Sequence, residues 1–481
     1  MFKLTDTKIG TSRTDTTISS LKESTKRKWL YLGCDILIVL LMGIILFWGA
    51  ASQFYNQYND ATRYQCYAVG FWQGTGGLAA LPSKQCAFLQ TSSTAVQKLQ
   101  EQHFPHILIN LVASQSPAQP FHLLPPEYPL LTLVPFSLGL IVPQTAYWYQ
   151  IAFAICMAVI AGLLYFILKY SRSTSAALAF AFYLVLGSWA TAEARFDLVP
   201  ATLTLGAVVL AAKARWKWAF GLLALATLLK FYPIVLIPPL LIAQQLQYTG
   251  KWTFWRRWQA LGVFLALCIG VTVFSLLLNV VDTLNPLRYF FSRPIQIESF
   301  PAVLVWLGSF VGYPVQYPFT FQSQNVASTL SSTIGLATSV LLAGGLLYTF
   351  WLQWRGKIDI FISSLLSLLI LLAAGKVLSP QYLIWVAPFV AYVGQYRWKW
   401  VVTWGSVASL TTIIFPFLYV DLAHILLYYP VVVMRDLLIV GTVLVLLYVA
   451  TRTPHGIVAQ SSANLPTNSD QDEGTKKSGN Q

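Results

Sequence analysis

Apolar residues recur along this chain in long runs, separated by short basic and aromatic clusters. A helix needs roughly 20 residues to cross about 30 Å of hydrocarbon. Runs of that order are predicted at Gly33 to Ser52, Thr145 to Leu168, Leu261 to Val281, Thr329 to Trp351, Val401 to Leu418 and Pro430 to Ala450. Shorter spans are predicted at Ser175 to Ala190, Leu198 to Ala212, Asp359 to Ala374 and Tyr382 to Val393. Leu130 to Val142, broken by Pro135 and closed by Pro143, reads as a partly embedded helix.

The polar intervals give these runs a direction. Lys and Arg gather on the cytoplasmic side of membrane helices, so Lys26-Arg27-Lys28 places the N-terminus inside. Gly49-Ala50-Ala51 offers a small-residue cleavage site, but the leading segment is long for a signal peptide and reads as an uncleaved anchor. Lys169, Arg172, Lys213, Arg215, Lys217, Arg355, Lys357, Arg397, Lys399 and Arg452 then all fall inside. Only Ala219 to Leu246 breaks the alternation, with basic clusters at both ends. A broken hairpin restores it: two short helices meet at Lys230-Phe231-Tyr232-Pro233, because Pro233 cannot continue the first helix. A turn at that depth must be enclosed by protein or a wet cavity.

The predicted fold is thus an all-α polytopic membrane protein with about twelve crossings, located in the plasma membrane with both termini cytoplasmic. Residues 1–30 form an N-terminal segment, 31–452 the transmembrane domain, and 453–481 a polar, aperiodic tail expected to be disordered. Residues 53–129 form a large first external loop, of the length that is usually functional or disordered.

Composition agrees. Of 481 residues 56% are apolar and 10% charged, against about 25% charged in a soluble domain. The net charge of +14 sits in clusters beside the apolar runs, whereas nucleic-acid binders carry an exposed basic stripe, so membrane lipids are expected partners and nucleic acid is not. No Gly-rich phosphate loop or βα pattern is present. The five cysteines lack CxxC spacing, and His103, His106 and His122 lack carboxylate company, so no metal site is expected. Cys66 and Cys86 share the external loop, where a disulfide can persist.

The topology leaves a distinct set of ionisable residues outside: Asp60, Glu127, Glu193, Arg195, Asp197, Lys230, Arg288, Arg293, Glu298, Lys376, Asp421 and His424. Several abut apolar helix ends, where an unpaired charge costs at least about 2.5 kcal/mol. Plain alternatives exist: Asp60 can be one more solvated loop acid, Lys230 can snorkel, Lys376 can be structural, Arg195 and Asp197 can pair locally and cap a helix, and Glu127-Tyr128-Pro129 can simply open the embedded helix. The chemical alternative is a site for a lipid-phosphate sugar donor. Arg195, Lys230, Arg293 and Lys376 would hold the phosphate and stabilise the leaving charge, and a carboxylate such as Asp60 would take the acceptor's proton.

Five segments together resemble bacterial glycosyltransferase family 87. They are Glu127-Tyr128-Pro129, Arg195-Phe196-Asp197-Leu198-Val199-Pro200-Ala201, Gly221 to Lys230-Phe231-Tyr232-Pro233, Arg293-Pro294-Ile295-Gln296-Ile297-Glu298-Ser299, and Gly375-Lys376-Val377-Leu378-Ser379-Pro380-Gln381-Tyr382-Leu383-Ile384-Trp385. They occur in the family's order. The resemblance implies a GT-C type fold and an inverting transfer of a hexose, often mannose, from a polyprenyl-phosphate carrier to a glycolipid or cell-envelope glycan outside. It implies Asp60 as general base, Lys230, Arg293, Lys376 and Arg195 on the donor phosphate, and Glu127, Tyr128, Asp197, Tyr232, Glu298, Gln381 and Tyr382 lining the substrate site. It implies no cofactor, with a divalent cation optional. Leu130 stands where the family often has a second proline after Glu-Tyr-Pro. From another class, a transporter or flippase of lipid-linked sugars would also fit a multispanning chain, although no internal repeat marks one here.

Overall fold

The computed structural model describes residues 12–54, 59–89, 97, 100–101, 103, 105–248, 251–419 and 425–452. The expected tail from Thr453, with Asp421 and His424, lies outside the described residues. In chain order the helices are α1 (Ser12–Ala51), α2 (Asp60–Gly77), α3 (His106–Ser114), α4 (Leu133–Leu138), α5 (Ala146–Ser171), α6 (Thr174–Gly187), α7 (Leu198–Ala212), α8 (Trp216–Leu229) and α9 (Ile237–Gln247). Then come α10 (Gln259–Leu278), α11 (Val280–Ser292), α12 (Phe300–Ser309), α13 (Ser331–Trp354), α14 (Ile360–Ala374), α15 (Tyr382–Gly394), α16 (Trp398–Thr412) and α17 (Ile425–Arg452). Among the described residues six helices are long and apolar enough to cross a membrane: Trp29–Ala51 of α1, α5, α10, α13, Trp398–Leu418 and α17. This is a multi-pass helical membrane protein.

The inner bundle is built from the helices richest in small residues. Ala176, Ala177, Ala179 and Ala201, Ala207, Ala211 are fully buried in α6 and α7, and such side chains let helix backbones approach closely where lipid supplies no hydrophobic drive. Around them α10 and α13 face outward. Only 11% of the apolar window of α10 is buried by protein, against 50% for α5, so Leu265, Ile269, Val273 and Leu277 are left for lipid.

Helix α8 stops at Leu229, and Lys230 is extended before a tight 3-10 turn, Tyr232–Leu236, leads into α9. The expected break is therefore at Lys230. The described residues of the segment expected to form the first external loop carry more helix than their sequence indicated. Asn59 accepts from Thr62 N at 2.9 Å and starts α2, in which every residue from Ala61 to Gly70 is buried. A disulfide joins Cys66 to Cys86 and fastens the following segment to that helix. The chain is also not purely helical: β1 (Ile295–Gln296), β2 (Phe319–Thr320) and β3 (Ser323–Val326) form an antiparallel sheet in the order β1-β3-β2. The β2–β3 turn puts Phe321 and Gln322 at φ 52° and 57°, positive at both central positions like the turn usually made by Asn-Gly.

Candidate functional site

The sequence segments singled out above meet at the ends of α2, α7, α8 and α15. Asp60 occupies the first turn of α2, where Asn59 is fixed by donating to Gln53 O at 2.8 Å and Gln150 Oε1 at 2.5 Å. Its carboxylate pairs with Arg195 at 2.8 Å and stands 3.6 Å from Arg63. Arg63 in turn pairs with Glu127, donates to Tyr67 Oη at 3.3 Å and lies over the Phe88 ring at 4.9 Å. Burial pushes the Asp60 carboxyl up, but Arg195, Arg63, Lys230 and Arg293 outweigh it and hold the group below the usual carboxylate range. Burial dominates at Glu127, which is raised despite Arg63.

A second pair continues from the first. Asp197, 1% exposed, accepts from Lys230 Nζ at 2.6 Å and from Trp385 Nε1 at 2.5 Å. The Lys230 ammonium lies 5.1, 5.7 and 5.0 Å from the ring centres of Phe196, Tyr382 and Trp385. Trp385 is stacked between Tyr232, at 4.1 Å and 2°, and Tyr382, at 3.8 Å. Tyr232 reaches Thr204 Oγ1 at 3.3 Å. The local pairing of Arg195 with Asp197 is not what forms, and Asp197 makes no cap bond to α7; the two residues point to different partners. Lys230 is held in this pair rather than snorkelling. Tyr128 packs edge-on to Tyr64 and Phe196 beside the same group.

Arg293 and Lys376 stand on the neighbouring side. Arg293 lies 5.6 Å from the Tyr289 ring centre and donates to Ser323 Oγ at 3.4 Å, and among the described residues neither cation pairs with a carboxylate. Both line a cleft of about 530 Å³ with β1, β3 and the first turns of α13, including Ser331, Ser332, Ser339 and Leu336. The backbone fixes the two together, since Gln296 N donates to the Lys376 carbonyl at 2.9 Å. A helix start beside two cations favours an anion. Leu336 and Val340, 69% and 63% exposed on α13, carry the apolar outer surface away from this cleft.

Gln381 accepts from Ser379 Oγ at 2.5 Å and shapes the turn before α15. Glu298 has its ion-pair partner on a distant helix. It is 1% exposed, and Arg435 of α17 donates to its carboxylate at 3.3 Å and also bonds its carbonyl, while Arg435 Nε donates to Asp436 at 2.9 Å. A buried ionised carboxylate needs such a partner, and through it Glu298 ties the segment after β1 to α17. Arg435, Arg63 and Trp385 are the participants that the sequence reading did not assign. Arg-Asp inside an apolar run was the available sign of the first, since an ionisable residue in a span needs a partner or a task. His122 contacts Leu278 O at 2.5 Å, and among the described residues no group of His, Cys, Asp or Glu is arranged to hold a metal.

No protein-family model, no curated protein and no solved structure matches this chain.

Proposed function

We propose that this protein is a membrane glycosyltransferase of GT-C type, with about twelve crossings and both termini cytoplasmic. It transfers a hexose, mannose in the family it resembles, from a polyprenyl-phosphate donor to a glycolipid or cell-envelope glycan at the non-cytoplasmic face. The observation that carries the reading is one carboxylate, Asp60, within electrostatic reach of Arg293, and two cations, Arg293 and Lys376, that share a cleft and meet no carboxylate among the described residues, all from segments far apart in sequence. A groove that is cationic inside and apolar at its outer wall suits a phosphate attached to a hydrocarbon chain.

The chemistry follows from that layout. Asp60 accepts the proton of the acceptor hydroxyl as its oxygen attacks the anomeric carbon. The bond from that carbon to the phosphate oxygen breaks on the opposite side, inverting the centre, and polyprenyl phosphate leaves with its added negative charge facing Arg293 and Lys376. Arg195 is the cation nearest Asp60. While it pairs with Asp60 it weakens that carboxylate as a base; drawn toward an incoming phosphate, it would release Asp60 to a higher proton affinity. A divalent cation is optional because the cations of the site can carry the electrostatic part.

The test is labelled polyprenyl-phosphate mannose given to the purified full-length protein with a membrane glycolipid extract. Label covalently attached to extract components supports the reading. Label that only changes leaflet in proteoliposomes, with no new covalent product, would replace it with the transporter.

A further inference from the structure

Helix α11 takes no part in the reaction proposed above, yet it presents an unusual surface. Its 13 residues span about 20 Å, too short to cross the hydrocarbon, and Asp282, Asn285 and Arg288 lie along it. One face is tied to protein. Asp282 and Pro286 are buried, Asp282 accepts from Leu124 N at 3.3 Å, and Tyr289 Oη donates to Phe321 O at 2.7 Å. The other face carries Leu284 and Leu287, each 43% exposed, Phe290 at 59% and Phe291 at 76%. Leu284, Leu287, Arg288 and Phe291 stand at i, i+3, i+4 and i+7, one stripe of a helix, and Arg288 is exposed within it.

What covers this stripe is indicated by the element before it. α10 ends at Leu278 with Val273, Phe274 and Leu277 about half exposed or more on its lipid side, and only Asn279, in extended conformation, separates it from α11. The apolar outer surface therefore continues around a corner from a crossing helix onto a short amphipathic one. We propose that α11 is an interfacial helix lying along the bilayer surface at which α10 ends, with Leu284, Leu287 and Phe291 among the acyl chains and Arg288 on anionic lipid headgroups. Because Phe290 meets Phe231 at 6.3 Å, next to Lys230, and Arg293 follows the helix directly, the lipid surface would help to hold one wall of the site.

This inference is independent of the reaction and is tested without it. In full-length protein with Cys34, Cys156 and Cys268 changed to Ala and the Cys66–Cys86 bridge kept, a nitroxide is attached at Leu287→Cys, at Phe291→Cys, or at Lys84→Cys as an exposed loop reference. Samples are placed in nanodiscs of phosphatidylcholine with or without phosphatidylglycerol. The relaxation ratio for oxygen over a water-soluble nickel chelate is expected to be at least about fivefold higher at 287 and 291 than at 84, as for lipid-immersed positions. Arg288→Glu should lower it in the anionic discs and leave it unchanged in the neutral ones. Equal ratios at all three positions would overturn the proposal. So would spin–spin broadening at 287 and 291 that disappears on dilution with unlabelled protein, since a second copy would then cover the stripe. An Arg288→Glu effect indifferent to lipid charge would overturn the headgroup contact.

Discussion

The pair between Asp197 and Lys230 allows the cluster to be tested apart from any reaction. Asp197→Asn preserves shape but removes the charge that a 15%-exposed ammonium faces at 2.6 Å. Breaking a buried pair from one side leaves the other ion uncompensated and costs about 3–5 kcal/mol. The aromatic rings around Lys230 are present before and after the change, so they return nothing. Removing both ions by Asp197→Asn with Lys230→Met takes away the stranded charge and should cost about 1–2 kcal/mol less than the single change, the two sites coupling as contacting residues do. With an unfolding entropy of about 2.1 cal/mol/K per residue, a chain of this size should lose roughly 3–5 °C in the single variant and recover part of it in the double. Thermal unfolding of the full-length protein, followed at one scan rate in one detergent, reads the difference. A double variant less stable than either single one, by the sum of their losses, would show that the two side chains do not share a buried site and would refute the packing argument.

Asp60→Asn is expected to lower kcat for sugar transfer by about 10²–10⁴ with little change in KM for the donor; transfer at the wild-type rate removes the base assignment. Arg195→Met takes the nearest cation from Asp60, so the acidic limb of the pH–rate profile should move to higher pH, and an unmoved limb would mean that another group titrates there. Burial lifts Asp282 to about 6, so the folded state binds a proton that the unfolded chain releases: wild type should gain stability over Asp282→Asn as pH falls from about 6 to about 4, and lose it as pH rises again. A pH-independent difference would contradict this. Cys66 and Cys86 are 20 residues apart, and opening such a loop by changing both to Ala should cost about 3 kcal/mol; thiol counting that finds both cysteines free in the wild type would contradict it.

Much of the helical framework was legible because membrane helices announce themselves by length and apolarity alone. Leu198–Ala212 has the boundaries its sequence predicts, and Pro233 correctly marks the break that leaves Lys230 outside a helix. Partners were less legible. Arg195 and Asp197 are two residues apart, and local spacing favours a pair, but tertiary packing sends one to α2 and the other to Lys230. The β2–β3 hairpin escaped because Phe321-Gln322 lacks the Asn or Gly that its positive φ values would lead one to seek. α2 escaped because its order depends on the Asn59 cap and on burial from all sides between Ala61 and Gly70, which leaves no polar and apolar face to detect there. The partner of Glu298 was not legible because Arg435 lies far along the chain within an apolar run.

Within the cluster the cations are not equivalent, and this orders the proposed reaction. Arg63 is engaged by Glu127, Lys230 by Asp197 and Arg195 by Asp60. An anionic donor would have to break one of those pairs to use their cations, whereas Arg293 and Lys376, which pair with no carboxylate among the described residues, would be available to it without that loss. In the proposed reaction the phosphate would therefore be held on the β1–α13 side, between strand and helix start, with the hexose directed toward Asp60. In that scheme the carboxylates next to the engaged cations would keep positive charge from concentrating on the acceptor side, where a proton has to be removed. Positive charge in excess at one end and a paired carboxylate at the other give the site a polarity, and that polarity sets which way a glycosyl group would move.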